Sequence, residues 1–226
     1  YFFSLLSFNL FYDYLMKKIF LILIYSIFWR NFLKIIIGLK YYNQKILKKK
    51  KQFILIANHN SHMDTMAIMS AIPSRYIHRV HPIAAEDFFG GSKMKKWLMR
   101  YMVNAALIPR KKADSEKEPD PVKIMSRLLK KKRSIILYPE GSRGKPGVMS
   151  DFKKGLGYLI QENPDVGVLP VYLDGIHKTL PKGKKIILPY NCRIIFGDII
   201  KFNSYELNDI ISTAEKGIKK VKSLVE

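Results

Sequence analysis

Two short polar segments of this 226-residue chain carry the residue types that acid–base and anion-binding chemistry need. The first, Asn58-His59-Asn60-Ser61-His62-Met63-Asp64, follows an apolar run, Phe53–Ala57, that reads as a buried strand. His59 and Asp64 form a His-x4-Asp pair and would not share a face within one continuous helix. With His59 in a loop and Asp64 in the first turn of a helix, the carboxylate can fold back onto the imidazole. An acid so placed fixes the ring tautomer, stabilises the imidazolium and leaves the other nitrogen to take a proton. A second reading stays open. Ser61-x-x-Asp64 is also a capping-box-like helix start, in which Asp64 merely satisfies backbone donors.

The second segment is Tyr138-Pro139-Glu140-Gly141-Ser142-Arg143-Gly144, again at the end of a strand-like run, Ile135–Tyr138. Pro-Glu-Gly-[Ser/Thr]-Arg arises by chance in roughly one of ten thousand chains of this composition, so the run carries weight. A Gly-bearing turn lets backbone approach a ligand closely, and Arg143 offers a planar fork for phosphate. The plain alternative is a polar turn between a strand and a helix. The remaining candidates read as structural. His62 is a loop or helix-start residue, and His78, His81 and His177 show no ligand spacing, so no metal is expected. Cys192 lies in a strand-like run and reads as a core residue.

The elements that position these segments alternate along the chain. Short apolar runs at Phe53–Ala57, Pro82–Ala85, Ala105–Ile108, Ile135–Tyr138, Val166–Tyr172 and Cys192–Phe196 read as strands. Thr65–Ala71, Phe88–Val103, Val122–Lys132, Lys153–Gln161 and Ser204–Val225 read as helices. Pro121 suits a helix start after the polar linker Lys111–Asp120. The alternation predicts an α/β fold with a mixed, largely buried sheet flanked by helices.

Residues 1–40 differ from the rest. Their charges are few, and neither uncharged run, Tyr1–Tyr12 or Ile19–Trp29, reaches the roughly 18–20 apolar residues of a plain spanning helix. The segment reads as an apolar helical hairpin broken at Lys17-Lys18 that sits in a membrane face, with a buried hairpin as the alternative. The lysines at 45 and 48–51 beside it read as an anchor on anionic headgroups, each contributing about 1 kcal/mol near the surface. The aromatics Phe88, Phe89, Trp97 and Tyr101 would pack or touch lipid. The implied division is residues 1–44 as membrane-associated helices and 45–226 as the functional domain. The chain opens on Tyr1 rather than Met, which reads as a fragment or as a chain that has lost an N-terminal piece.

Composition narrows the partners. There are 40 Lys+Arg against 18 Asp+Glu, a net charge of +22, which seeks nucleic acid, anionic lipid or phosphorylated substrates. With 48% hydrophobic residues the chain is not disordered. One cysteine excludes an internal disulfide framework and a multi-cysteine metal cage, and fits a reducing compartment. Together with the apolar N-terminus this points to the cytoplasmic face of a membrane.

The two polar segments, in this order and about 75 residues apart, resemble the first and third blocks of the glycerolipid acyltransferases, the PlsC-like lysophosphatidic acid acyltransferase superfamily. Asn104-Ala105-Ala106-Leu107-Ile108-Pro109-Arg110 resembles the second block and Val168-Leu169-Pro170-Val171 the fourth, so the likeness covers about residues 50–175. It implies acyl transfer from acyl-CoA or acyl-carrier protein to a lysophospholipid hydroxyl, with no cofactor and no nucleic acid partner. By position, His59 is then the general base and Asp64 its orienting partner. Arg110 and Arg143 fall on the acceptor-phosphate positions, and Glu140, Gly141 and Ser142 on the acceptor-pocket turn. The second block departs from the usual pattern, with Asn104 for Gly and Leu107 for an aromatic. Ala84-Ala85-Glu86-Asp87 stands where many members carry a Lys. Glycerol phosphate, another lysolipid or an aminolipid are therefore alternative acceptors. A non-catalytic basic protein for membrane or nucleic acid is the alternative of a different class.

Overall fold

In a computed structural model, the described residues are 2–49, 52–89, 92–109, 120–144, 148–179 and 189–224, with side chains from Tyr12 onward and those of Phe88 and Phe89 left out. The chain begins with helix α1 (Phe2–Leu21), which continues without a turn through a π-helical stretch (Ile22–Trp29) into α2 (Arg30–Ile37). Strand β1 (Lys40–Tyr42), the short α3 (Ile46–Lys49), β2 (Ile54–Ala57) and α4 (Asp64–Ala71) follow. After them come β3 (Val80–Ala85), α5 (Lys93–Met102), β4 (Ala106–Ile108), α6 (Pro121–Lys130) and β5 (Ser134–Leu137). The chain ends with α7 (Lys154–Glu162), β6 (Val168–Asp174), the short α8 (Ile176–Thr179), β7 (Arg193–Phe196) and α9 (Leu207–Lys222).

The seven strands form one mixed sheet in the order β1-β7-β6-β2-β5-β3-β4. Every pairing is parallel except β6 with β7. The period-two alternation of a strand splits its side chains between two faces. From β2, Leu55 and Ala57 enter a core beneath α4 and the N-terminal helix, while Ile54 and Ile56 enter a second core beneath α6, α7 and α9. All four are buried, as a central strand covered on both faces requires. The mixed, helix-flanked sheet expected from the alternation is the fold observed.

The N-terminal hairpin is not. Leu21, Trp29 and Arg30 all hold right-handed helical backbone, so α1, the π-helical stretch and α2 form one long rod. The lysine pair at 17–18 contains no helix breaker, and Lys is a good helix former. The first glycine of the chain is Gly38, and the rod stops there. Gly38 takes φ 65°, and both its own N–H and that of Leu39, at 3.0 Å, donate to the Leu33 carbonyl, a left-handed ending that favours glycine. Leu21, Tyr25, Leu33 and Ile37 lie on one side of the rod and are buried against the domain. Each such side chain contributes about 1.5–3 kcal/mol on burial.

Two other differences have local causes. The helix expected over 88–103 begins only at Lys93, because Ser92 caps it, its Oγ accepting the Lys95 N–H. It ends at Met102, and just beyond it Asn104 takes φ 57° and donates from its side chain to the Val80 carbonyl at 2.8 Å. Asn tolerates the left-handed region better than other non-glycine residues, which explains why it can stand where the second block usually has Gly. Strand β1 was not expected. Three residues are too few to show a period, and the pairing partner β7 lies more than 150 positions away.

Candidate active site

β2 and β5 are neighbours and parallel, with Ile56 opposite Leu137. Their carboxyl ends therefore deliver the two polar segments to one place. The chain leaves β2 into α4 on one face of the sheet and leaves β5 into α7 on the other. Such a switch point opens a crevice at the strand ends, the usual ligand position in open α/β sheets.

At these strand ends His59 Nδ1 lies 3.0 Å from Asp64 Oδ2. The same oxygen accepts the backbone N–H groups of Asn60 and Ser61, each at 2.8 Å. The two readings of Asp64 are thus both met: one carboxylate satisfies the helix-start donors and orients the imidazole. Asp64 is 1% exposed, so its charge is held by three donors away from water. The His59 side chain keeps 19% of its surface open.

The second segment is laced to the first. The His59 N–H donates to Glu140 Oε1 at 2.9 Å, and Ser150 N–H donates to Oε2 at 2.8 Å. Glu140 is 2% exposed, and its carboxylate clasps the two loops from inside the turn. Gly144 N–H returns a bond to the His59 carbonyl at 3.1 Å. Gly141 holds φ 75° beside Lys153, a backbone state that a side chain would strain. Ser142 and Arg143 are exposed at the tip, and the Arg143 guanidinium rests on the His62 ring. Burial, then Arg143 and His59, lower the His62 pKa below the usual imidazole range. Arg110, Lys50, Lys51 and the linker 111–119 lie outside the described residues.

Three residues not singled out in the sequence complete the site. The Tyr138 ring stacks on His59, centroids 4.0 Å apart at 15°. Its hydroxyl pairs with Thr65 Oγ1 at 2.9 Å, in the first turn of α4. Burial, then the Asp64 charge, push this phenol well above its usual pKa, so it stays neutral. Asn58 donates to the Leu173 carbonyl at 3.0 Å and accepts its N–H at 2.8 Å, fixing the loop root to β6. Asn58 and Tyr138 are the first residues of the two polar segments, where residue type alone gives them no role, and Thr65 has no sequence signal.

The other histidines stand elsewhere. His78 and His81 sit at the start of β3, at the opposite end of the sheet, and burial depresses both to about 4. Cys192 is fully buried, its thiol pushed up to about 12 by burial and then Asp174. Among the described residues, no three of His, Cys, Asp and Glu gather as a metal site.

Comparison with known proteins bears on the family and the fold. The acyltransferase family model matches residues 38–174, more than half of the chain. The chain is 31% identical over 143 residues to a chloroplastic 1-acyl-sn-glycerol-3-phosphate acyltransferase of Arabidopsis thaliana, covering 63% of this chain and 37% of that one. It is 24% identical over 148 residues to the human 1-acyl-sn-glycerol-3-phosphate acyltransferase alpha, covering 63% and 47%. The matched stretch thus spans about half or less of these relatives. Its fold matches the crystal structure of the 1-acyl-sn-glycerophosphate (LPA) acyltransferase PlsC from Thermotoga maritima, with a TM-score of 0.63 at 23% identity, over 82% of this chain and 71% of that one. A His–Asp pair and a Pro-Glu-Gly-Ser-Arg turn, brought together at the carboxyl ends of β2 and β5, and a family model that spans both: on these grounds the chain belongs to the acyltransferase family, within the PlsC-like glycerolipid acyltransferase superfamily.

Proposed function

We propose that the protein is an O-acyltransferase of the 1-acyl-sn-glycerol-3-phosphate type, moving a fatty acyl group from a thioester to a lysophospholipid hydroxyl in phospholipid biosynthesis. The observation that carries this reading is the 3.0 Å contact between His59 Nδ1 and the buried Asp64, facing the Arg143 turn. With Nδ1–H donating to Asp64, Nε2 is the basic nitrogen. It takes the proton of the acceptor hydroxyl as that oxygen attacks the thioester carbonyl. The tetrahedral intermediate collapses, the C–S bond breaks, and the imidazolium returns the proton to the thiolate. The products are an ester and a free thiol, and no cofactor is required. A positioned base of this kind contributes roughly 10²–10⁴-fold.

Arg143, with Arg110 by its place in the second block, holds the acceptor phosphate. Gly141 and Ser142 shape the turn beneath it, while Glu140 keeps that turn against the His59 loop. The donor is acyl-CoA or acyl-carrier protein. Residues 1–44 serve as the membrane-associated part and 45–226 as the acyltransferase domain, on the cytoplasmic face of the bilayer. The rod of α1, the π-helical stretch and α2 lies along the bilayer surface. Leu21, Tyr25, Leu33 and Ile37 bind one side to the domain, while Leu15, Ile19, Leu23, Ile27, Phe28 and Ile35 are exposed on the rest. As one continuous helix, Tyr12–Ile37 is long and apolar enough to cross a membrane, unlike either uncharged run of the sequence taken alone; its packing against the domain through Leu21, Tyr25, Leu33 and Ile37 supports a place in the interface instead. The +22 charge is assigned to anionic lipid and not to nucleic acid.

A second reading keeps the chemistry and changes the acceptor. Lys96, one of the bases near the second block, is paired to Glu86 at 2.9 Å, and this favours an acceptor other than lysophosphatidate. One experiment separates the readings: thiol release from acyl-CoA across lysophosphatidate, glycerol phosphate, other lysolipids and an aminolipid, with product masses. Fastest turnover of lysophosphatidate, and a raised acceptor KM in Arg143→Ala, are expected. Fastest turnover of a phosphate-free acceptor would remove the phosphate role, and absence of thiol release with every acceptor would remove the enzyme.

A further inference from the structure

Helix α5 is built the opposite way round from a surface helix of a water-soluble domain. Such a helix turns its apolar stripe to the core and its charges to solvent. Here Met94, Trp97 and Leu98 are 75%, 59% and 43% exposed, and no residue of α5 is buried. With Tyr101 they follow the i, i+3, i+4, i+7 spacing of one helical face. Met99, on the opposite side, packs against the small core of Val103, Ala105 and Leu107. At 100° per residue, Lys93 and Arg100 fall on one flank of the exposed stripe and Lys95 on the other. All three are exposed.

The stripe is also joined to the N-terminal rod. Lys17 Nζ donates to the Arg100 carbonyl in the last turn of α5 at 3.0 Å. The Phe20 and Tyr101 rings meet with centroids 5.4 Å apart, and Trp97 stacks on Tyr101 at 5.3 Å. On the rod, Met16, Ile19 and Leu23 are exposed near this junction. Two elements far apart in sequence thus present adjoining apolar surface with bases along its border.

We propose that α5 is a second membrane-inserting element, an interfacial helix that enters an anionic bilayer beside the N-terminal rod. This rests on the membrane association proposed above and adds to it a second point of attachment. An apolar stripe bordered on both sides by bases matches an anionic lipid surface: the stripe enters the acyl region and the lysines and arginine reach the headgroups. A second copy of the chain is disfavoured as the occupant, because it would bring the same bases against these. Two points of attachment fix the rotation of the domain on the bilayer, which a single rod does not.

The test uses the full chain and vesicles of phosphatidylcholine, with and without phosphatidylglycerol. The chain has two tryptophans, so Trp29→Phe leaves Trp97 as the reporter. Its emission should shift to the blue on anionic vesicles and be quenched by lipids brominated in the acyl chain. Met94→Glu/Trp97→Glu/Leu98→Glu should weaken partition roughly tenfold or more, with circular dichroism and melting temperature unchanged. Lys93→Gln/Lys95→Gln/Arg100→Gln should weaken partition to anionic vesicles and leave that to neutral vesicles unaltered. If the parent binds but Trp97 does not respond and the triple glutamate variant partitions like the parent, α5 stays in water and the proposal is overturned while attachment by the rod survives. If the parent binds no vesicle, both fall. A blue shift that needs higher protein concentration and no lipid would assign the stripe to self-association and overturn the proposal.

Discussion

At the mouth of β2 and β5 polar groups are buried, and across the outer helical face apolar groups are bare. Asp64 and Glu140 are 1% and 2% exposed, yet between them their carboxylates accept from His59, Asn60, Ser61 and Ser150. Burying a charge is costly unless donors replace the lost water, and here backbone donors of two loops do so. On the other face Ile35 and Met94 are 78% and 75% exposed. In the first region the buried carboxylates find their donors within the chain. On the reading proposed above, the second is completed by a bilayer. Catalysis needs a fixed ring and a fixed acid; attachment to a fluid bilayer needs only apolar area and bases at the right depth.

Substitutions on each side should separate along this line. The largest effect is expected from His59→Ala, which should lower acyl transfer by roughly 10²–10⁴-fold while thermal melting and vesicle partition stay at parent values. Retained turnover in that folded variant would show that the base lies elsewhere. Leu23→Glu/Ile27→Glu/Phe28→Glu should do the reverse. Partition to anionic vesicles should fall by roughly 10²-fold, with turnover of a short-chain, water-soluble acceptor preserved. An equal loss of both activities would mean that the two regions are not separable.

Smaller changes sharpen the comparison within the site. Asp64→Asn keeps the shape but removes the charge that stabilises the imidazolium. A loss in kcat of roughly 10–100-fold follows from a charge-assisted bond of this strength, with acceptor KM little changed. A normal kcat would reduce Asp64 to a helix cap. Tyr138→Leu removes the ring on which His59 rests and should lower kcat about tenfold, whereas Tyr138→Phe keeps the ring and should restore most of it. Equal loss in both variants would place the role in the hydroxyl bond to Thr65 instead. Imidazole proton shifts of His59 in the two variants provide a readout that general destabilisation would not mimic.

Much of the fold was legible because its signals are local. Each expected strand lies within about two residues of an observed one, since buried apolar runs of four to seven residues bounded by turn residues are hard to place otherwise. The N-terminal rod departs from the expected hairpin because nothing in Lys17-Lys18 breaks a helix. β1 has no local signal because its existence depends on β7. The candidate site was legible at His59, Asp64 and the Glu140–Arg143 turn, where residue types are specific and which the fold brings together. Thr65 was not, because a threonine in a helix start has no signature until the Tyr138 hydroxyl is found beside it.

The order of residues alone determined that an imidazole, an acid and a guanidinium would stand at the ends of strands, because strand period, turn chemistry and motif spacing are properties of neighbouring residues. Only the tertiary structure decided that β2 lies next to β5, that one carboxylate oxygen serves both the His59 ring and two backbone donors, and that Glu140 faces inward to clasp the loops. It alone decided, too, that the apolar stripe of α5 faces outward beside Phe20 and Lys17. Strand order and the facing of a helix are set by packing between segments distant in the chain, and no local pattern encodes which distant partner wins.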